Sequence, residues 1–429
     1  MKKILIISPN FPPNNTPDLH RIRIMLPHLL DFGWQIDILA VDSKYTEVNI
    51  DSFIEKTVPE NINIYKVKAL NVKYTRKIGL GNLGIRAFYF MYKKGIEIIK
   101  KNKPDIIFFS TTVFPVLTLG KLWKNKFKIP FVIDLQDPWR NDYYLNFPKN
   151  KRPKKFWFDY TLNKILEKYT IPETDGIISV TDAYTLELNN RYNLKNIPNL
   201  TMPLGASTND FLFVEKENIP VSINYSSNYI NIIYTGVIPN NMLFSIKAVL
   251  KAIKKYNEIN EKKIKIYFIG SNYATKDKQK DKVTPIAKEL NISDFIEEKT
   301  DRVSYFEAIK LMQISDILLL PGTTDKNYTA SKLYPYLLSK KPILVVFNEN
   351  SNLKTIITKI SNLPIALFNE KTENNVLSDS VYLLLEKILS QDYTFEIADN
   401  ELKKYTDNYM TKEIEELFLD VINNYDRKN

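Results

Sequence analysis

Short apolar runs alternate with longer amphipathic stretches from one end of this chain to the other, and few folds satisfy that rhythm. A strand that reads as a nearly continuous apolar run is buried on both faces, as happens when helices cover both sides of a parallel sheet. In the first half such runs stand at Ile4 to Ser8, Gln35 to Val41, Asp105 to Ser110, Phe131 to Leu135, Gly176 to Val180 and Leu200 to Pro203. Amphipathic segments at about residues 18–31, 85–102, 115–124, 155–170 and 182–192 fit helices between them. At 429 residues the chain exceeds the size at which one core keeps growing, so two domains are the default.

The alternation predicts a Rossmann-like domain over residues 1–205. It breaks over residues 206–229, a mixed polar stretch with Pro220 and a Ser226, Ser227, Asn228 cluster, which reads as a linker. It resumes with strands at Ile230 to Thr235, Ile264 to Gly270, Ile317 to Pro321 and Ile343 to Phe347, and helices at about 243–257, 281–290, 303–313 and 374–390. This predicts a second Rossmann-like domain over residues 230–405. The tail, 406–429, contains Ile414, Leu417, Phe418, Val421 and Ile422 at the spacing of one helix face. That face needs a surface to cover, and crossing back onto the first domain would supply one.

Composition removes several chemistries. There are no cysteines, which excludes disulfides, thiolate metal sites and a cysteine nucleophile. Only two histidines occur, His20 and His28, which argues against a histidine-built zinc site; no metal and no cofactor are expected. The apolar run Ile4 to Ile7 is far too short for a signal peptide or a membrane span, which reads as a cytoplasmic protein. The net charge of +11 would attract phosphate backbones, yet no nucleic-acid motif accompanies it. Five of the seven residues from Lys149 to Lys155 are basic, and the aromatic stretch Phe156 to Tyr160 follows directly. The segment Lys149 to Tyr160 is either a contact for the inner face of an anionic membrane or a solvated helix face.

The segment richest in chemistry is Thr329 to Val346, TASKLYPYLLSKKPILVV. A loop there is predicted to enter a helix whose first turn carries Ser331 and Lys332. The free N–H groups of such a start, with a lysine beside them, suit a phosphate. Pro335 is tolerable if Ser331 is the N-cap. In the first half, Asp137 lies within the run Val132 to Trp139, VIDLQDPW, at the carboxyl edge of a parallel strand. It either orients and deprotonates a hydroxyl or caps the turn before Pro138. Asp134, inside the strand, reads as structural. His20 begins a helix and either faces a ligand or caps, while His28 lies among apolar neighbours and reads as structural.

Several of these segments, in this order, resemble the GT-B glycosyltransferases, most closely the glycosyltransferase family 4-like group. The first is Ser8 to Pro13, SPNFPP, followed by a helix with Arg21 and Arg23 and then Phe32, Gly33 and Trp34. The glycine pair usual in that first loop is replaced by Asn14, Asn15, Thr16 and Pro17. VIDLQDPW, the Thr235–Gly236 turn, Gly270, the stretch Arg302 to Ala308 and the SKLYPYL run complete the likeness. The Arg and Lys usual after the glycine turn are absent, since the chain reads Val237 to Met242, VIPNNM. The paired carboxylates of the donor helix are absent as well, for Pro335 and Asn327 stand in their places.

The resemblance implies an α/β protein of GT-B class, two Rossmann-like domains with a cleft between them. It implies a nucleotide-sugar donor bound in the second domain by Thr235, Gly236, Gly270, Arg302, Val303, Tyr328, Ser331, Lys332 and Tyr334. A glycan or lipid-linked acceptor would be bound in the first by Asn10, Phe11, His20 and Asp137. Asp137 and Lys332 would be the catalytic residues, the lysine stabilising the leaving diphosphate. The implied activity is sugar transfer with retention in bacterial surface polysaccharide synthesis. A noncatalytic scaffold on the same fold, or a nucleotide-sugar epimerase or hydrolase, are the alternatives.

Overall fold

The computed structural model describes residues 1–153, 156–194, 196–271, 280–325, 328 and 330–427. The chain divides into two compact units, Met1–Leu204 with Asp407–Asn429, and Gly205–Thr406. The stretch read as a linker is not an open connection. It carries the helix Thr208–Lys216, capped by the Ser207 hydroxyl, which accepts from the Asp210 amide at 3.2 Å.

Unit 1 contains strands β1 (Lys3–Ile7), β2 (Gln35–Val41), β3 (Asn63–Val67), β4 (Ile106–Ser110), β5 (Phe131–Leu135), β6 (Gly176–Ser179) and β7 (Asn199–Thr201). They form one parallel sheet in the order β3-β2-β1-β4-β5-β6-β7. Alternate residues of β1 enter different cores: Ile4 and Ile6 pack with Met25 and Leu26, whereas Leu5 and Ile7 pack with Met91 and Trp123. Burial on both faces explains why the strand reads as an unbroken apolar run.

The helix Asp407–Asp426 belongs to this unit. Its apolar face joins the core of β1, with Phe418 edge-on to Phe108 at 4.9 Å and to Trp34 at 6.1 Å. The Trp34 indole donates to Glu415 at 2.9 Å, and His28 Nε2 lies 3.4 Å from Asp407 Oδ2.

Unit 2 contains β8 (Tyr229–Thr235), β9 (Lys263–Ile269), β10 (Ile296–Lys299), β11 (Ile317–Pro321), β12 (Ile343–Asn348) and β13 (Ile365–Phe368). These are parallel, in the order β10-β9-β8-β11-β12-β13. Strand order reverses between β1 and β4 in unit 1 and between β8 and β11 in unit 2. The loops leaving such a pair diverge at their carboxyl ends, and ligands of open α/β sheets bind in that crevice.

Candidate functional site

In unit 2 the strand ends are prepared by glycine. Strand β8 stops at Thr235, and Gly236 takes φ 140°, a conformation L side chains rarely adopt, while its N–H donates to the Ile269 carbonyl at 2.7 Å. Strand β9 stops one residue before Gly270, with φ 73° and an N–H donating to the Lys299 carbonyl at 2.8 Å. The space a side chain at Gly236 would fill is taken by Lys332, since a Cβ there would lie 2.6 Å from its Cε and Nζ. Against Gly270 stands Arg302, whose Cα and Cγ are 3.6 Å from the equivalent point.

The Lys332 ammonium lies 5.3 Å from the centre of the Tyr234 ring, and the Tyr234 hydroxyl donates to the Val237 carbonyl at 3.0 Å. Burial of the ammonium, and secondarily the positive charge of Arg302, lowers the Lys332 pKa to about 8. Among the described residues no carboxylate forms an ion pair with Lys332. The Lys332 ammonium fills the space over Gly236, and Arg302 packs its Cα and Cγ against Gly270, near enough for its charge to act on that ammonium. A cation held below its ordinary pKa is one whose protonated form an anion would favour. Behind them the Tyr336 hydroxyl sits beside Thr235, short of full hydrogen-bond geometry, and burial raises its pKa.

Three expectations need correction here. The helix begins at Leu333 and ends at Leu338, so Ser331 and Lys332 do not occupy its first turn. Starting at Leu333 keeps Pro335 within the first turn, where its missing N–H costs no ladder bond. Lys332 is the N-cap residue with no capping bond from its side chain, and Ser331 is exposed. So short a helix offers no anion site of its own, and the lysine side chain remains. Tyr334 is buried and stacked on Tyr405 at 4.4 Å, so its ring is closed to a ribose. Tyr328 stacks on Phe347 at 5.8 Å, and Val303 follows Arg302 in the loop before the helix Tyr305–Ile314. Asn327 and Thr329 lie outside the described residues.

In unit 1 the sequence reading missed the central residue, Asp18. Its carboxylate accepts from Thr16 at 2.6 Å, from Thr111 at 2.9 Å, from the Thr112 amide at 3.3 Å and from Asn10 at 3.4 Å. It thereby joins the loops after β1 and β4, the strands at the reversal point. An aspartate just after Thr16 and Pro17 reads as a residue favourable in a first helical turn, which conceals this role. Beside it Arg21 Nε lies 2.9 Å from Asp134 Oδ2, and Gln136 donates to the Asp18 carbonyl, to Ser110 Oγ and to Asp134 Oδ2, each at 3.0 Å. Arg21 also donates to the Met202 carbonyl at 2.7 Å.

Asp137 is exposed just beyond β5. Surrounding protein, and then the Asp18 carboxylate, raise its pKa, an effect softened by its access to water. Burial, and then the nearby Asp137 charge, raise the Tyr184 pKa. Asn10 is buried with its amide directed at Asp18. His20 stands beside Arg23, its Nδ1 3.4 Å from the Arg23 Nε. Phe11 is a further correction: it is buried in the core with Ile4 and Met25, because the loop after β1 folds its ring inward, and it presents nothing to an acceptor.

No protein family's sequence profile matches the chain, and no curated protein is similar to it in sequence. Solved structures are similar along its whole length. Sucrose-phosphate synthase from Thermosynechococcus elongatus covers 98% of this chain with 99% of its own, at TM-score 0.60 and 11% identity. A mutant of S. aureus TarM, solved with fondaparinux, α-GlcNAc-glycerol and UDP, covers 99% with 100% of its own, at TM-score 0.60 and 13% identity. The fold is GT-B. UDP-GlcNAc 2-epimerase from Methanocaldococcus jannaschii is also similar, with TM-score 0.55 and 15% identity over 98% of this chain and 99% of its own. At these identities the likeness is one of GT-B architecture, and the assignment of chemistry rests on the residues at the strand ends.

Proposed function

We infer that this protein is a glycosyltransferase that takes a nucleotide-sugar donor in unit 2 and a glycan or lipid-linked acceptor in unit 1. The observation that carries this reading is the Lys332 ammonium lying over Gly236 at the carboxyl edge of a parallel sheet, with Arg302 packed against the neighbouring Gly270. The Arg and Lys absent from the turn after β8 are replaced by cations from two later segments. A diphosphate held there would favour the protonated form of Lys332, which would stabilise the charge that grows on the leaving group. Asp137 would accept the acceptor hydroxyl's proton, a role its exposure and raised pKa support. The similarity to UDP-bound structures favours a uridine nucleotide. The family-4-like resemblance supports retention of configuration and a role in surface polysaccharide synthesis. Among the described residues no helix is long and apolar enough to cross a membrane. Contact with the inner membrane face through Lys149 to Tyr160 belongs to the same reading, with Lys154 and Lys155 outside the described residues.

The test is thermal melting with a panel of nucleoside diphosphates, because a ligand selective for the folded state raises the melting temperature. A rise with UDP that disappears in Lys332→Ala supports the reading, and no rise with any nucleotide favours a noncatalytic scaffold instead. The likeness to a UDP-GlcNAc 2-epimerase favours one second reading, epimerisation of the donor. Incubating the nucleotide sugar without acceptor separates the two, since an epimerase converts it and a transferase does not.

A further inference from the structure

Two segments distant in sequence meet on unit 1, and both combine exposed apolar side chains with positive charge. The first connects β3 to the helix Leu83–Asn102 and contains the short helix Val72–Thr75. Within it Tyr74 and Ile78 are 73% and 72% exposed, flanked by Lys73 and Lys77, while Arg76 pairs with Glu47 at 2.5 Å; no acidic residue occurs in the sequence from Val72 to Asn82. The second is the helix Phe156–Thr170, where Trp157 and Phe158 are 53% and 55% exposed. The Arg152 guanidinium lies 5.1 Å from the centre of the Trp157 ring. An open groove of about 470 Å³ joins them, with Arg76, Gly79 and Gly81 on one wall and Phe158, Asp159 and Leu162 on the other; Asp159 is the carboxylate among its lining residues.

Large apolar side chains left in water at two adjoining segments are costly unless something covers them. Basic residues placed among them narrow the choice, because ammonium groups on long stems beside amphipathic rings match the layered chemistry of a lipid headgroup region. The net charge of +11 complements an anionic surface, and aliphatic Ile78 gains nothing from a nucleic-acid backbone. We propose that this face docks on an anionic bilayer, Tyr74 and Ile78 entering the headgroup layer beside Trp157 and Phe158 while Lys73 and Lys77 meet lipid phosphates. This deepens the membrane contact inferred from Lys149 to Tyr160 by adding a second, independent anchor.

The full chain is sedimented with vesicles of phosphatidylcholine alone and of phosphatidylcholine mixed with phosphatidylglycerol. Binding is expected on the mixed vesicles only, and it weakens as salt is added. Lys73→Gln with Lys77→Gln lowers that partition roughly 30-fold, taking about 1 kcal/mol for each basic residue at such a surface. Tyr74→Ser with Ile78→Ser lowers it at least as far, at an unchanged melting temperature. Equal binding to neutral vesicles, no binding to either, or full binding by the Tyr74→Ser, Ile78→Ser variant overturns the proposal. The rise in melting temperature with UDP is followed in the same variants. Its persistence where vesicle binding is lost supports two separate sites, and its absence from the parent chain would sink the donor reading while leaving the docking surface standing.

Discussion

Arg21 Nε and Asp134 Oδ2 are 2.9 Å apart, with 1% and 0% of their side chains exposed, so a full ion pair lies inside unit 1 beneath the strand ends. Ser110 and Gln136 donate to the same carboxylate oxygen, at 2.6 and 3.0 Å. Removing one partner leaves a buried charge uncompensated. Asp134→Leu alone is expected to cost about 3–5 kcal/mol. Arg21→Met combined with Asp134→Leu should recover much of that loss. Urea unfolding of the single and double variants measures both, and strict additivity of the two losses would show that the pair does not act as a pair.

At the donor site, Gly236→Ala places a methyl group where the Lys332 ammonium lies and strains a backbone held at φ 140°. The lysine must move. The expected result is at least a tenfold weaker UDP affinity, on the scale of one charge-assisted contact, with the protein still folded. Isothermal titration reads the affinity, and parental binding would place the phosphates away from this lysine.

The pKa of Lys332, lowered to about 8, gives a pH signature. A bound diphosphate favours the protonated amine, so binding takes up a proton near pH 8, and affinity falls by up to roughly tenfold per pH unit above it. In the unliganded protein the sign is opposite to that of a paired lysine. Between about pH 8 and the ordinary lysine pKa near 10.5, the unfolded chain holds the proton that the folded chain has released. The stability of the free protein therefore rises with pH across that window and is lowest below it. Lys332→Met removes both effects, giving a free protein more stable at pH 7 and no proton uptake with UDP. Titrations in buffers of different ionisation enthalpy count the proton.

Asp137 separates chemistry from binding. It is exposed, so Asp137→Asn should change stability by no more than about 0.5 kcal/mol. Turnover should fall by roughly 10²- to 10⁴-fold if the carboxylate is the base, with the rise in melting temperature caused by UDP intact. An unimpaired rate would return Asp137 to capping the turn before Pro138.

Much of this architecture could be read from the amino acids themselves. Gln35–Val41, Phe131–Leu135 and Ile317–Pro321 have the bounds their apolar runs imply, because a strand between two helical layers must be apolar on both faces. Edge strands escape that rule. β10 reads IEEK and β3 is largely exposed, and each is a strand only because β9 or β2 offers it a ladder to pair with. The site divides in the same way. The Thr235–Gly236 turn and Lys332 each carry a local chemical meaning that needs no coordinates. That Lys332 fills the space above Gly236, that Arg302 stands next to it, and that Asp18 ties two diverging loops together were settled by the fold alone. Sequence dictates which side chains can carry charge and which backbone positions can bend. Only packing brings together groups that many residues of chain keep apart, and their pKa values and partners arise from that proximity.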